Sequence, residues 1–123
     1  MISGVVTPQR EAIVHLAVRD RAGNERDVEA IIDTGFDGSL TLPPSVIAAL
    51  GLTWRRRGRA LLADGSDSIC DIFEATVVWD AVPRRISVDA ADIKPLIGMS
   101  LLDGYELNMR VADGGDVRIT ALR

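Results

Sequence analysis

Ala30-Ile31-Ile32-Asp33-Thr34-Gly35-Phe36-Asp37-Gly38-Ser39-Leu40-Thr41-Leu42-Pro43 is the stretch on which the fold turns. Ala30-Ile31-Ile32 is apolar at consecutive positions, so it reads as the end of a strand buried on both faces. Asp33 then places a carboxylate at the mouth of that strand, where burial is costly unless the group is paired or hydrogen-bonded. Thr34 carries a hydroxyl and a methyl on one compact side chain. Gly35 allows a sharp turn and a close approach by other groups. Asp followed closely by Gly is also ordinary turn chemistry at a strand end, so the tripeptide gains meaning only from its surroundings.

Working outward, the chain reads as mostly β. Residues 11–19 alternate with period two, and Ala22-Gly23-Asn24 turns them into a second run from Arg26 to Asp33, a hairpin. Leu40 to Leu42 is a short strand stopped by Pro43-Pro44. Ser45 to Leu50 has helical spacing, with Pro44 at its start and Gly51 as its stop. Ala60 to Ala63 and Ser68 to Trp79 form a second hairpin about Asp64-Gly65-Ser66. Arg85 to Ala90 is a further strand, and Leu96-Ile97-Gly98 is an apolar run ended by glycine. Ser100 to Leu102 reads as a short helix. Tyr105 to Val111 and Val117 to Leu122 are joined by Asp113-Gly114-Gly115-Asp116, a strong hairpin signal. About nine short strands with close turns and one clear short helix make an all-β barrel.

The ordered set of motifs resembles the retropepsin-like aspartic proteases, in particular the bacterial and archaeal group whose loop reads Asp-Thr-Gly-Phe. Ile31 to Phe36 is similar to the catalytic loop of that family, and Phe36 to Pro43 continues the likeness. Leu96 to Leu102 is similar to the segment that threads behind the loop, about 60 residues on. The resemblance runs from about Ala12 to Leu122 and implies a single-lobe acid-protease barrel. It implies catalysis by Asp33, with Thr34 locking the loop to a partner loop and Gly35 approaching substrate. Phe36 and Asp37 would line the substrate groove, and Phe36, bulkier than the usual small residue, would reshape it. Ala63, Asp64, Gly65 and Ser66 would form the tip of a flap. Leu96, Ile97 and Gly98 would support the loop from behind. Retroviral members carry Arg after the second glycine; Met99 stands there instead, so Asp37 lacks that partner. The C-terminal strand, Val117 to Leu122, is where such enzymes build an intermolecular sheet.

Two carboxylates about 3 Å apart share one proton, so that one activates water while the other protonates the scissile carbonyl. The chain holds one Asp-Thr-Gly and no second such triplet. The expected solution is a homodimer with one Asp33 from each chain about a two-fold axis, acting on a peptide or protein. The alternative is a catalytically weak or inactive peptide-binding or assembly module on the same fold.

Composition agrees with one domain spanning 1–123. Of its residues 47 % are hydrophobic and 26 % charged, which is globular rather than disordered. A net charge of −4 argues against a nucleic-acid partner. Arg55, Arg56, Arg57 and Arg59 form one basic cluster, either a solvated turn or strand edge, or a local anion or partner patch. A lone cysteine, Cys70, cannot form an intrachain disulfide, which with the absence of a signal peptide or membrane-length apolar run leads to the expectation of a cytoplasmic protein. Cys70 reads as a small half-buried hydrophobe. His15 is the only histidine and has no ligand spacing around it, so neither a metal nor a cofactor is expected.

Overall fold

In a computed structural model that describes residues 1–61 and 65–122, the chain forms β1 (Ile2–Val6), β2 (Ala12–Arg19), β3 (Glu25–Ile32), β4 (Leu40–Leu42), α1 (Pro44–Leu50), β5 (Thr53–Leu61), β6 (Asp67–Trp79), β7 (Val82–Ala90), β8 (Leu96–Ile97), α2 (Met99–Leu102), β9 (Tyr105–Met109) and β10 (Asp116–Ala121). The strands lie in one sheet of order β5-β6-β7-β4-β8-β3-β2-β1-β10-β9. A further β6–β2 pairing, Ala17 opposite Val78 and Val18 opposite Val77, curls that sheet back upon itself. The fold is therefore all-β and barrel-like, as the alternation and turn chemistry imply.

Period-two burial builds the core. Val14, Leu16 and Val18 of β2 point inward with Val28 and Ala30 of β3, Val77 and Trp79 of β6, Val88 of β7 and Val117 and Ile119 of β10. Trp79 meets Tyr105 edge-on at 5.8 Å, tying β6 to the far edge of the sheet. The α1 helix starts with Pro44 in its first turn and ends at Gly51, whose φ of 67° is the left-handed cap that glycine adopts without strain. It buries Ile47 and Leu50.

Several boundaries differ from the sequence reading. Residues 2–6 form β1, which pairs with both β2 and β10; its apolar side chains are too few to show a period. β5 begins at Thr53, so the arginine cluster lies on an edge strand. There Arg55 pairs with Glu74, Arg57 with Asp71 and Arg59 with Asp67, at 3.3 to 3.7 Å. Ile31 and Ile32 are half-buried rather than enclosed on both faces; full burial falls one residue earlier, on Ala30. The C-terminal strand β10 has β1 on one side and β9 on the other, so its hydrogen-bonding edges are both occupied, and the free edge of this region belongs to β9. No described helix is long and apolar enough to cross a membrane.

Candidate active site

The two sequence signatures meet. β8 runs parallel to β3, with Ile31 opposite Leu96 and Ile32 opposite Ile97, and antiparallel to β4, with Leu40 opposite Ile97. A two-residue strand thus fills the gap between the strands that enter and leave the Asp33 loop. Ile97 is fully buried there. The Ile31 N–H donates to the Pro95 carbonyl and the Asp33 N–H to the Ile97 carbonyl, both at 2.9 Å. Thr41, the buried polar side chain of β4, accepts the Leu96 N–H at 3.0 Å. This hydroxyl does in the interior what a strand neighbour would otherwise do for β8.

Asp33 stands at the end of β3, half-buried. Its Oδ1 accepts the Gly35 N–H at 2.9 Å, which fixes the carboxylate plane, and its carbonyl accepts the Phe36 N–H at 3.2 Å. A carboxylate held this way, with its backbone pinned by Ile97, can serve as a proton acceptor of fixed direction. Thr34 and Gly35 are exposed at the turn.

The rest of the loop is tied to the start of α2. The Gly98 N–H donates to Ser39 O at 3.0 Å, the Met99 N–H to Phe36 O at 2.8 Å and the Ser100 N–H to Gly38 O at 3.1 Å. The Ser100 hydroxyl donates to the Asp37 carbonyl at 2.5 Å. Gly98 is extended, at φ −105°, so it is not glycine for conformational reasons. A side chain there would overlap the Gly38 carbonyl, and would lie 2.5 Å from Phe36 Cδ2 and 2.7 Å from the Phe36 oxygen. The loop packs on the bare backbone of Gly98.

Phe36 folds its ring back over Gly38 and Gly98 within the loop. Asp37 is exposed and makes no ion pair among the described residues. With Met99 where retroviral members carry arginine, Ser100 and three backbone bonds hold the loop instead. Asp89 of β7 lies opposite Thr41; burial raises its carboxyl above the usual range, the Asp37 charge adds to the rise, and Arg56 opposes it. Gly65 and Ser66 lie at the closed end of the β5–β6 hairpin, Gly65 with φ 86°. Ala63 and Asp64 lie outside the described residues. Sequence reasoning placed Thr41 in a strand and Ser100 in a short helix but gave neither a role at the site. Thr41 sits between two leucines in a strand too short to show that it is buried. The position of Ser100 within the second signature, two residues after Gly98, was the available signal.

Cys70, half-buried on β6, has its thiol pKa raised by burial and then by Asp89 and Asp71, so it stays protonated and a poor nucleophile. His15 pairs with Asp27 at 2.8 Å on the exposed side of the β2–β3 hairpin. Beside the Asp33 loop runs an open groove of about 620 Å³. Thr34 and Asp37 line one side of it, and Met99, Leu102, Leu107 and Leu122 supply apolar surface.

A strand threading between the entry and exit of an Asp-Thr-Gly loop is a topology that can be compared directly with solved structures. The crystal structure of a retropepsin-like aspartic protease from Rickettsia conorii matches 99 % of this chain and 91 % of its own, with a TM-score of 0.63 at 17 % identity. The chain has the retropepsin-like fold. No protein-family profile and no curated protein matches the sequence. At that identity the retropepsin-like likeness resides in the backbone path, and the chemistry has to be argued from the residues of this chain.

Proposed function

We propose that this chain is an aspartic endopeptidase that works as a homodimer, each copy supplying one Asp33. The observation that carries the reading is the setting of Asp33. Its backbone is bonded to Ile97, its carboxylate is oriented by the Gly35 N–H, and it stands at the mouth of a strand in the retropepsin-like fold. A single carboxylate of ordinary geometry is half of the required machinery. A two-fold copy supplies the second, and the pair shares one proton between a base that deprotonates water and an acid that protonates the peptide carbonyl. Thr34, exposed beside Asp33, would hydrogen-bond across the axis. Peptide would lie beneath the β5–β6 hairpins.

The groove beside Thr34 supports a particular contact surface for the second copy. Met99 is 48 % exposed and Leu122 59 % exposed, large apolar side chains continuous with the loop. Leu122→Asp is expected to shift the dimer toward monomer in sedimentation equilibrium.

The direct test is cleavage of a peptide library from pH 3 to 8 (~) by the wild type and by Asp33→Asn. The variant is expected to keep its fold and dimer and to lose at least about a thousandfold in kcat/KM. Retained cleavage would sink the proposal. The second reading, a binding or assembly module, is favoured by one observation: Asp37 and Met99 do not form the ion pair that braces retroviral loops. It expects a stable peptide complex and no turnover at any pH.

A further inference from the structure

β6 runs for thirteen residues and changes partner on the way. Asp67 to Glu74 pair with β5, and Val77 and Val78 pair with β2, while β7 follows the opposite edge from Ile72 to Trp79. Burial changes face at the same place: Ile72 is buried in one register, and Ala75, Val77 and Trp79 in the other. Between the two partners, Ala75 and Thr76 have no strand beside them on that edge among the described residues. A cleft of about 280 Å³ opens there, against the end of β2, the turn that follows it and the start of β5.

The charges around the cleft are unevenly matched. Arg19 and Arg21 line it, as do Asp20 and Glu74. Asp20 is already engaged: it accepts the Ala22 and Asn24 N–H groups and the Arg26 Nε–H. Glu74 is held by Arg85 at 2.7 Å and Arg55 at 3.5 Å. Arg19 and Arg21 make no side-chain hydrogen bond or ion pair among the described residues, although Glu25 stands opposite Arg19 in the β2–β3 register. Arg19 is half-buried, where an uncompensated charge is costly. The stem of Arg21 lies over the backbone of Gly51, which narrows the cleft from that side. The hydroxyl-bearing Thr53 and Thr76 complete the lining. Two guanidinium groups and two carboxylates therefore line the cleft, and both carboxylates are already held by Arg26, Arg55 and Arg85.

We propose that this cleft binds a small tetrahedral oxyanion, a phosphate group, free or carried on a small monoester, through the guanidinium forks of Arg19 and Arg21. Guanidinium groups match phosphate oxygens with paired, charge-assisted hydrogen bonds. At about 280 Å³ the cleft has room for such a group and for the organic part of a small monoester. The cleft lies at the root of the β5–β6 hairpin, where Thr53 and Glu74 are its last paired residues. A bound anion would join that root to the turn after β2. The site makes no use of Asp33, so it stands or falls apart from the peptidase reading.

The test is a titration of the whole chain with inorganic phosphate, and separately with glycerol phosphate, followed by amide chemical shifts at constant ionic strength. Saturable shifts confined to the amides of Arg21, Gly51, Thr53 and Thr76 are expected with at least one of the two. Saturation with both identifies the free anion as sufficient, and saturation with the ester alone assigns the organic part a role. Arg19→Gln with Arg21→Gln should weaken binding by at least about tenfold. The single exposed-site variant Arg21→Gln gives the same direction should the pair disturb the fold. Arg59→Gln, on the β5–β6 hairpin, should bind as the wild type does. Shifts that do not saturate, that chloride reproduces, or that persist in the Arg19 and Arg21 variants would overturn the proposal.

Discussion

Gly98→Ala is the most demanding test of how the Asp33 loop is held. The backbone of Gly98 is in a region open to any residue, so alanine there should otherwise stabilise slightly by restricting the unfolded chain. The added methyl instead overlaps the Gly38 carbonyl and crowds the Phe36 ring and the Phe36 oxygen. Two of those three neighbours are backbone, and both accept hydrogen bonds from Ser100 and Met99. They can move only by breaking the bonds that fix the loop. Overpacking of this kind costs about 3 kcal/mol. With an unfolding entropy of about 2.1 cal/mol/K per residue over 123 residues, that is a fall in Tm of about 12 °C. The assay is thermal unfolding by circular dichroism, with Gly35→Ala as the companion. A methyl at Gly35 meets only Asp33 Oδ1, at 3.3 Å, so its Tm should stay within about 4 °C of wild type. A third chain, Phe36→Ala with Gly98→Ala, separates ring from backbone. Because both carbonyls remain, removing the ring should recover less than half of the loss, measured against Phe36→Ala alone. A Gly98→Ala protein as stable as wild type, or a full recovery in the double variant, would refute the account.

Thr41→Val keeps the shape of the residue and removes the acceptor of the Leu96 N–H; leaving that donor unpaired should cost about 1–3 kcal/mol in urea unfolding. The pairing of His15 with Asp27, first by hydrogen bond and then by charge, raises the imidazole above 6.5. Its stabilisation is therefore complete below about pH 6.5 and lost as pH rises through the raised value. The stability gap between wild type and His15→Gln should close over that interval. Asp20 is shifted the other way, chiefly by the Asn24 N–H, to below 3.8. Its contribution is present above pH 3.8 and disappears as pH falls through the lowered value, so Asp20→Ala should match wild type only in strong acid.

The alternating strands and the Gly- and Asp-rich turns were legible because each is a local pattern. The β2–β3 and β9–β10 hairpins lie where periodicity and turn chemistry put them. The pairing of Leu96 and Ile97 with Ile31 and Ile32 was anticipated only through the resemblance, since no local signal joins positions so far apart. β1 was not anticipated, because Ile2 to Val6 becomes a strand through two neighbours distant in sequence. The enclosed place of β10 escaped for a similar reason: a strand's sequence does not say how many of its edges are taken. At the site, Asp33 and Gly98 were readable from motif chemistry. Thr41 and Ser100 were not, because their importance comes from burial and from facing a particular carbonyl or amide, both of which exist only after folding.

The threading of β8 through the Asp33 loop also orders events in time. Ile31 and Leu40 gain their β8 neighbours only when Leu96 and Ile97 are present, far along the chain. Closing so large a loop is entropically costly and slow. During synthesis the early hairpin β2–β3 can form while the carboxylate at its end still has no floor beneath it. The chemistry proposed for Asp33 therefore cannot begin on a chain that stops short of β8. Its appearance is coupled to the synthesis and docking of Leu96 and Ile97.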